Sequence, residues 1–150
     1  MKTLICCLLF SLAFCLSSVA ANVQFCDSDV GSCVNVTVSG CAASAAECDL
    51  KRGTNVGITI SFSVSEDTSD VKAIVHGILG GIPIPFHIPN PDACQNCGLT
   101  CPLHKGGTYT YFEKLPIKRA YPQVSVDVKW QLEDSNGKVI CCALIPSRIK

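Results

Sequence analysis

The sequence predicts an all-β sandwich of about seven strands, and three observations carry that prediction. Apolar residues recur at every second position in three long segments, no window shows a sustained helical stripe, and turn-forming residues punctuate the chain at short intervals. Period two places alternate side chains on opposite faces, so each such segment has one face to bury.

Taken in chain order, the first strand is 34–38, where Val34, Val36 and Val38 alternate with Asn35 and Thr37. The second is 56–64, with Val56, Ile58, Ile60, Phe62 and Val64 on one face and Gly57, Thr59, Ser61 and Ser63 on the other. A third is expected at 71–79 and a fourth at 108–112, where TYTYF supplies β-forming residues. The fifth is 124–132, with Val124, Val126, Val128, Trp130 and Leu132 as its apolar face. Asp134-Ser135-Asn136-Gly137 then signals a hairpin turn into a last strand at 139–145. No repeat, linker or second domain interrupts this pattern.

One segment fits no ordinary element. GILGGIPIPFHIPNP, residues 77–91, is largely apolar yet carries Pro83, Pro85, Pro89 and Pro91. Proline lacks a backbone donor, which bars it from helix interiors and central strands. Ile84, between two prolines, is held extended. Such a segment suits either an inert cap over the core or the lip of an opening, and composition alone leaves both readings open.

The first residues have the layout of a secretory leader: Lys2, the apolar run LICCLLFSLAFCL, then small residues ending SSVAA. Residues 1–21 are read as a cleaved signal peptide ending at Ala21, and 22–150 as one domain. Nine of the 12 cysteines lie beyond that point, and an exported chain uses cysteines first as bridges. An odd number leaves at least one over. Asn35-Val36-Thr37 is a glycosylation sequon, which makes Asn35 a candidate glycan site on the same route.

Twelve basic residues balance 12 acidic ones, and the sequence contains no basic run. That argues against nucleic acid and shows no polybasic patch for anionic lipid. Catalysis has little support: His76, His87 and His104 are scattered, no nucleophile elbow occurs, and no carboxylate pair stands out, so no enzyme is predicted. The sharper chemical rival is zinc at Cys94, Cys97, Cys101 and His104, whose spacing suits a knuckle. An oxidising compartment favours a loop staple there instead, and no metal is expected.

Four stretches then make a specific resemblance: VHGILGGIPIPFHIPNPDAC, CPLHKGGTYTYFEKLPIKRAYP, VKWQLED and CCALIP. With VQF at 23–25, the Cys41/Cys48 pair and KRG at 51–53, they resemble the Niemann-Pick type C two branch of the ML lipid-recognition family. The resemblance spans essentially the whole of 22–150. It implies an immunoglobulin-like β-sandwich with a hydrophobic pocket between its sheets. It also implies a secreted or lysosomal and endosomal monomer that carries sterol, cholesterol in the first instance, without a cofactor. Delivery would be to a membrane sterol transporter of the Niemann-Pick type C one kind, with transient contact to acidic lipid membranes. Two other functions stay open within such a family: a lipid-presenting module of innate immunity, and an extracellular carrier of other small hydrophobes such as fatty acids or semiochemicals.

The resemblance also carries three disulfides: Cys26–Cys142, Cys41–Cys48 and Cys94–Cys101. Cys141 and Cys142 point to opposite faces of one strand and cannot share a partner. A fourth bridge, Cys33–Cys141, is therefore expected, with Cys97 left free.

By position, the resemblance puts Phe86, Ile117, Tyr121 and Pro122 at the pocket entrance, with Leu115 and Pro116 beside them. The alternation itself nominates Val36, Ile58, Ile60 and Val75 as inward residues, together with Ile78, Val126, Val128 and Trp130. A sterol shielded on ~400 Å² of apolar surface gains ~10 kcal/mol before the costs of immobilisation. The surface for membrane or partner is implied at His76, Gly77, Ile78 and Asp92, and at Gly80, Gly81 and Ile82. Three residues depart from the mammalian pattern: Ala143 replaces a tryptophan, Gly80 a bulky apolar residue, and Gln95 a lysine.

Overall fold

The computed structural model describes residues 22–150 apart from residue 43, so the expected leader lies outside the described residues. Among those described, nine strands form two sheets: β1 (Gln24–Phe25), β2 (Gly31–Val38), β3 (Cys48–Leu50), β4 (Thr54–Val64), β5 (Val71–Leu79), β6 (Ile82–Phe86), β7 (Thr108–Ile117), β8 (Ser125–Asp134) and β9 (Val139–Ile149). The larger sheet runs β1-β9-β8-β5-β6, with β3 parallel to the far half of β9, and the smaller runs β2-β4-β7.

Each segment with period-two alternation is a strand, and on β4 and β8 the apolar positions face the opposite sheet. On β2 a bulge between Cys33 and Asn35 breaks the alternation, so Val36 is buried but Val34, expected on the same face, is 57 % exposed. On β4 the residues from Val56 to Val64 alternate buried and half-buried, and β8 does the same from Val126 to Asp134. Two strands run further than their apolar signal, β7 to Ile117 and β9 to Ile149, each past a proline. The reason is where those prolines sit. Pro116 belongs to β7, an edge strand paired only with β4. Pro146 falls between the residue of β9 paired with β1, Leu144, and the first one paired with β3, Ser147. No ladder bond is lost where no partner strand waits.

The proline-rich segment obeys the same rule. Residues 82–86 are the edge strand β6, joined to β5 by a two-residue hairpin in which Gly80 and Gly81 both have positive φ, 55° and 81°. That is the backbone of a type I′ turn, for which glycine is the residue without steric penalty. Pro83 and Pro85 are two apart and so share one side of the strand, opposite Ile78 and His76.

The two ends of the sandwich are built differently. At one end, Phe62, Tyr111, Trp130, Leu132 and Ile140 pack with almost no exposure. Trp130 sits beside Ala143 across the β8–β9 ladder, and Tyr111 meets Trp130 with ring centroids 6.0 Å apart. Two disulfides anchor this end. Cys26–Cys142 ties β1's flank to β9 within the larger sheet, while Cys33–Cys141 joins β2 to β9 and so spans the two sheets. Cys41–Cys48 and Cys94–Cys101 each close a local loop with a sequence separation of 7. Cys97 is free and fully buried.

Candidate functional site

At the other end the inward side chains do not meet. Two small cavities, about 40 and 20 Å³, lie end to end between the sheets and share Leu50, Leu115 and Val128 as walls. The outer one is bounded by Val75, Gly77, Phe86, Ile117, Tyr121 and Val126. The inner one reaches Val38, Val56, Ile58, Trp130 and Ile145. Ladder order makes this a single slot: along β9 the sequence runs Ala143 beside Trp130, Ile145 beside Val128, Ser147 beside Val126, then Ile149. From Ile145 to Ile149, the β9 residues that line the two cavities, that is about 13 Å of strand.

The slot is apolar because of what faces it. Its inner wall has one hydroxyl, Ser147, whose Oγ already donates to the Ile145 carbonyl at 3.0 Å. Gly77 keeps the outer half open: a Cβ there would stand 3.2 Å from Val126 Cγ2. Phe86 and Tyr121 close the mouth in an edge-to-face pair with centroids 5.4 Å apart. Burial raises the Tyr121 phenol above its ordinary pKa, so it stays neutral. Beyond the mouth, Ile82 and Ile84 of β6 remain 66 % and 46 % exposed and form an apolar lip.

The sequence-predicted pocket residues fall into three groups. Phe86, Ile117, Tyr121, Leu115, Ile58, Val75, Val126, Val128 and Trp130 come together around the slot. Val36 and Ile60 are buried in the core but line neither cavity. Ile78, Pro116 and Pro122 stand elsewhere. Ile78 is an odd number of residues from Val75 and occupies the opposite face of β5, so Gly77 takes the inward position. Pro116 lies between the inward Leu115 and Ile117, and Pro122 is exposed.

Several wall residues escape a search for period-two runs. Leu50 and Ile149 sit at the tips of β3 and β9, where the run is too short or is broken by Pro146. Ala143 is fully buried under Trp130 and lines neither cavity, so the missing tryptophan does not open the slot. A side chain at Gly80 would meet nothing within 4 Å. Asp92 and Gln95 are exposed further along the same sheet edge, where Asp92 bridges to Lys72 of β5.

Of the four residues with zinc-knuckle spacing, Cys94 and Cys101 are joined to each other. The Cys97 thiol donates to Glu113 Oε2 at 3.4 Å, and burial followed by that carboxylate pushes its pKa up to about 12. Among the described residues no group of three or more His, Cys, Asp or Glu could hold a metal ion. No helix there is long and apolar enough to cross a membrane.

Fold and slot together define a β-sandwich domain with an apolar cleft between its sheets. A family model described as an ML domain matches residues 20–149, and the chain belongs to that family. Its relatives include "NPC intracellular cholesterol transporter 2 homolog a" of Drosophila melanogaster, 46 % identical over 131 residues, covering 87 % of this chain and 88 % of that one. "NPC intracellular cholesterol transporter 2" of Bos taurus is 39 % identical over 141 residues, covering 93 % of each chain. A solved Niemann-Pick type C2 protein from Japanese carpenter ant superposes with a TM-score of 0.81 at 28 % identity, covering 85 % of this chain and 98 % of that one.

Proposed function

We propose that this protein is an exported carrier of sterols or related lipids that binds its cargo between the two sheets and releases it at membranes, without chemistry. The observation that carries the reading is the slot itself, an apolar space whose single inner hydroxyl is already hydrogen-bonded. Its relatives' names point the same way. A pocket that recognises shape and apolarity needs few polar contacts.

The walls also define how binding works. Pockets for molecules of this size enclose about 300–1,000 Å³, whereas the slot's two cavities measure about 40 and 20 Å³. Cargo must therefore part the side chains of the facing sheets. A dry void of about 300 Å³ would cost on the order of 7 kcal/mol if left empty, so the narrow slot is the stable packing and the cargo itself holds it open. Phe86 and Tyr121 are the side chains that entry displaces, and the lip at Gly81, Ile82 and Ile84 is the apolar surface across which cargo passes to a membrane or its transporter.

In this reading the first 21 residues are a leader removed on export, Asn35 carries a glycan from its exposed place on β2, and the protein works in the lysosomal lumen or outside the cell. Lipid extraction and mass spectrometry of the purified protein, with fluorescent-sterol binding at acidic pH, tests it. Co-purified or tightly bound sterol is expected. A protein that binds no sterol but takes fatty acids or terpenoids would replace the sterol reading with the wider hydrophobe-carrier one.

A further inference from the structure

A β-sandwich leaves strand edges open, and each edge is a template on which another strand can pair. Among the described residues most edges of this fold carry a device against that. β6 has Pro83 and Pro85, and β1 and β3 are only two and three residues long. β7 carries Glu113, Lys114 and Pro116, and its Phe112 N–H already donates to the Cys97 carbonyl at 2.8 Å. β2 is the exception. It is eight residues long, pairs only with β4, and lies within residues 30–46, which hold no charge and no proline.

The geometry of β2 leaves this edge usable. Its bulge turns Val34 out to 57 % exposure but keeps Asn35 to Val38 in unbroken register with Ser61 to Ile58. Ser39 N–H donates to the Gly57 carbonyl at 2.8 Å. By the antiparallel alternation, Thr37 and Asn35 are then bonded to β4, while the N–H of Val38 and both backbone groups of Val36 point to the free edge. The run CVNVTV combines β-propensity, neutrality and absence of proline, the composition that favours like-to-like pairing. In the middle of that run stands Asn35, exposed, with Thr37 completing its glycosylation sequon.

Resting on the export and the glycan of the reading above, we propose that β2 is a pairing edge for a second copy of this chain, held shut by the sugar chain on Asn35. Two β2 strands meeting about a two-fold axis form an isologous contact, in which neutral residues meet neutral residues without repulsion. A pairing centred on Val36 sets Asn35 diagonally across from its own counterpart, roughly 8 Å away on the same face. Two branched sugar chains cannot share that space, so the modified protein stays a monomer. Without them, the exposed Val34 and the open backbone groups of Val36 find partners in the second copy. An edge this short buries less than a stable interface does, so the dimer is weak, with a Kd on the order of micromolar.

Sedimentation velocity on the full secreted protein tests this, with intact mass reporting the modification. Glycosylated wild type is expected to stay monomeric throughout the micromolar range. Asn35→Gln and Thr37→Ala remove the sequon through different residues, and each is expected to dimerise there, with hydrogen exchange slowed at residues 34–38. Adding Val34→Lys to either should restore the monomer, because a charged edge residue resists burial beside a second strand. Thermal unfolding confirms that each variant is folded. Sequon variants that stay monomeric, a dimer that Val34→Lys leaves intact, or a dimer without protection at residues 34–38 overturns the proposal. So does a secreted wild-type chain in which Asn35 is unmodified. Fluorescent sterol bound by the same samples keeps the carrier reading standing in each of these cases, whereas folded, glycosylated protein that binds no sterol fails that reading alone.

Discussion

Replacing Gly77 by valine should close the slot while sparing the fold. Gly77 faces inward at the outer cavity, opposite Ile84 of β6 and Val128 of β8 in the ladders. A Cβ at this position stands 3.2 Å from Val126 Cγ2, so the first carbon needs a shift of a few tenths of an ångström. The two methyls of valine then enter a space of about 40 Å³. β-branching favours the strand while crowding opposes it, so stability should change by less than ~2 kcal/mol. Binding is affected far more. If the outer half of the slot holds half of a sterol's contacts, blocking it removes ~200 Å², or up to ~5 kcal/mol. Allowing for repacking, fluorescent-sterol affinity should fall at least ~100-fold, equivalent to ~2.7 kcal/mol. Thermal unfolding of the same preparation checks the fold. Trimming the neighbour in a Gly77→Val/Val126→Ala variant should restore much of the affinity. A Gly77→Val protein that unfolds normally and binds sterol within about twofold of wild type would refute the slot as the binding site.

Phe86→Ala removes half of the mouth's edge-to-face pair with Tyr121; sterol affinity measured by the same fluorescence assay should drop about tenfold or more, and an unchanged value would take Phe86 out of the entrance. A Cys33→Ala/Cys141→Ala variant should lose about 2–3 kcal/mol in denaturant unfolding rather than the roughly 5 kcal/mol suggested by its sequence separation of 108. With Cys26–Cys142 intact, the second bridge closes a loop of only about nine residues, and the entropic gain follows that shorter loop. Cys97 should resist alkylation in the native protein and react once unfolded, because its pKa is pushed up to about 12 from 9.0, first by burial and then by Glu113. The native state holds this proton more tightly than the unfolded chain, so stability is complete below pH 9 and declines as pH rises from 9 toward 12. Labelling kinetics and unfolding curves at alkaline pH check both statements.

The sandwich is legible in the sequence because three strands display an uninterrupted period of two, and burying one face of each dictates two facing sheets. The edge position of 82–86 is legible from its prolines. The slot is less so, because a regular period gives no hint whether facing side chains touch. Val56 and Ile58 alternate as cleanly as Ile60 and Phe62, yet the first pair borders a gap and the second fills the core. Parity does decide Ile78, which an even count from Val75 would turn inward and an odd one turns out. An open cleft lined by Lys51, Arg52, Arg119 and Lys150 is invisible in the sequence because Lys51, Arg119 and Lys150 are far apart along the chain. They become neighbours only when β3, β7 and β9 end at the same place.

The sheet-spanning Cys33–Cys141 bridge sits near the start of β9, and the slot's mouth at Ile149 sits at its finish. The two sheets thus form a spring-loaded clip, pinned at the sulfur end. At the finish of β9 it is held on one side by the backbone bonds of Arg52 to Lys150 and Gly53 to Ile117, so that the side between Phe86 and Tyr121 is the one left to part. Any widening must grow along the axis from nearly nothing beside Trp130 to its largest value between Phe86 and Tyr121. A molecule sliding in therefore meets rising resistance with depth. How far it travels, and whether a rigid ring system or a slim chain goes in first, is set by the stiffness of that gradient as much as by the shape of the walls.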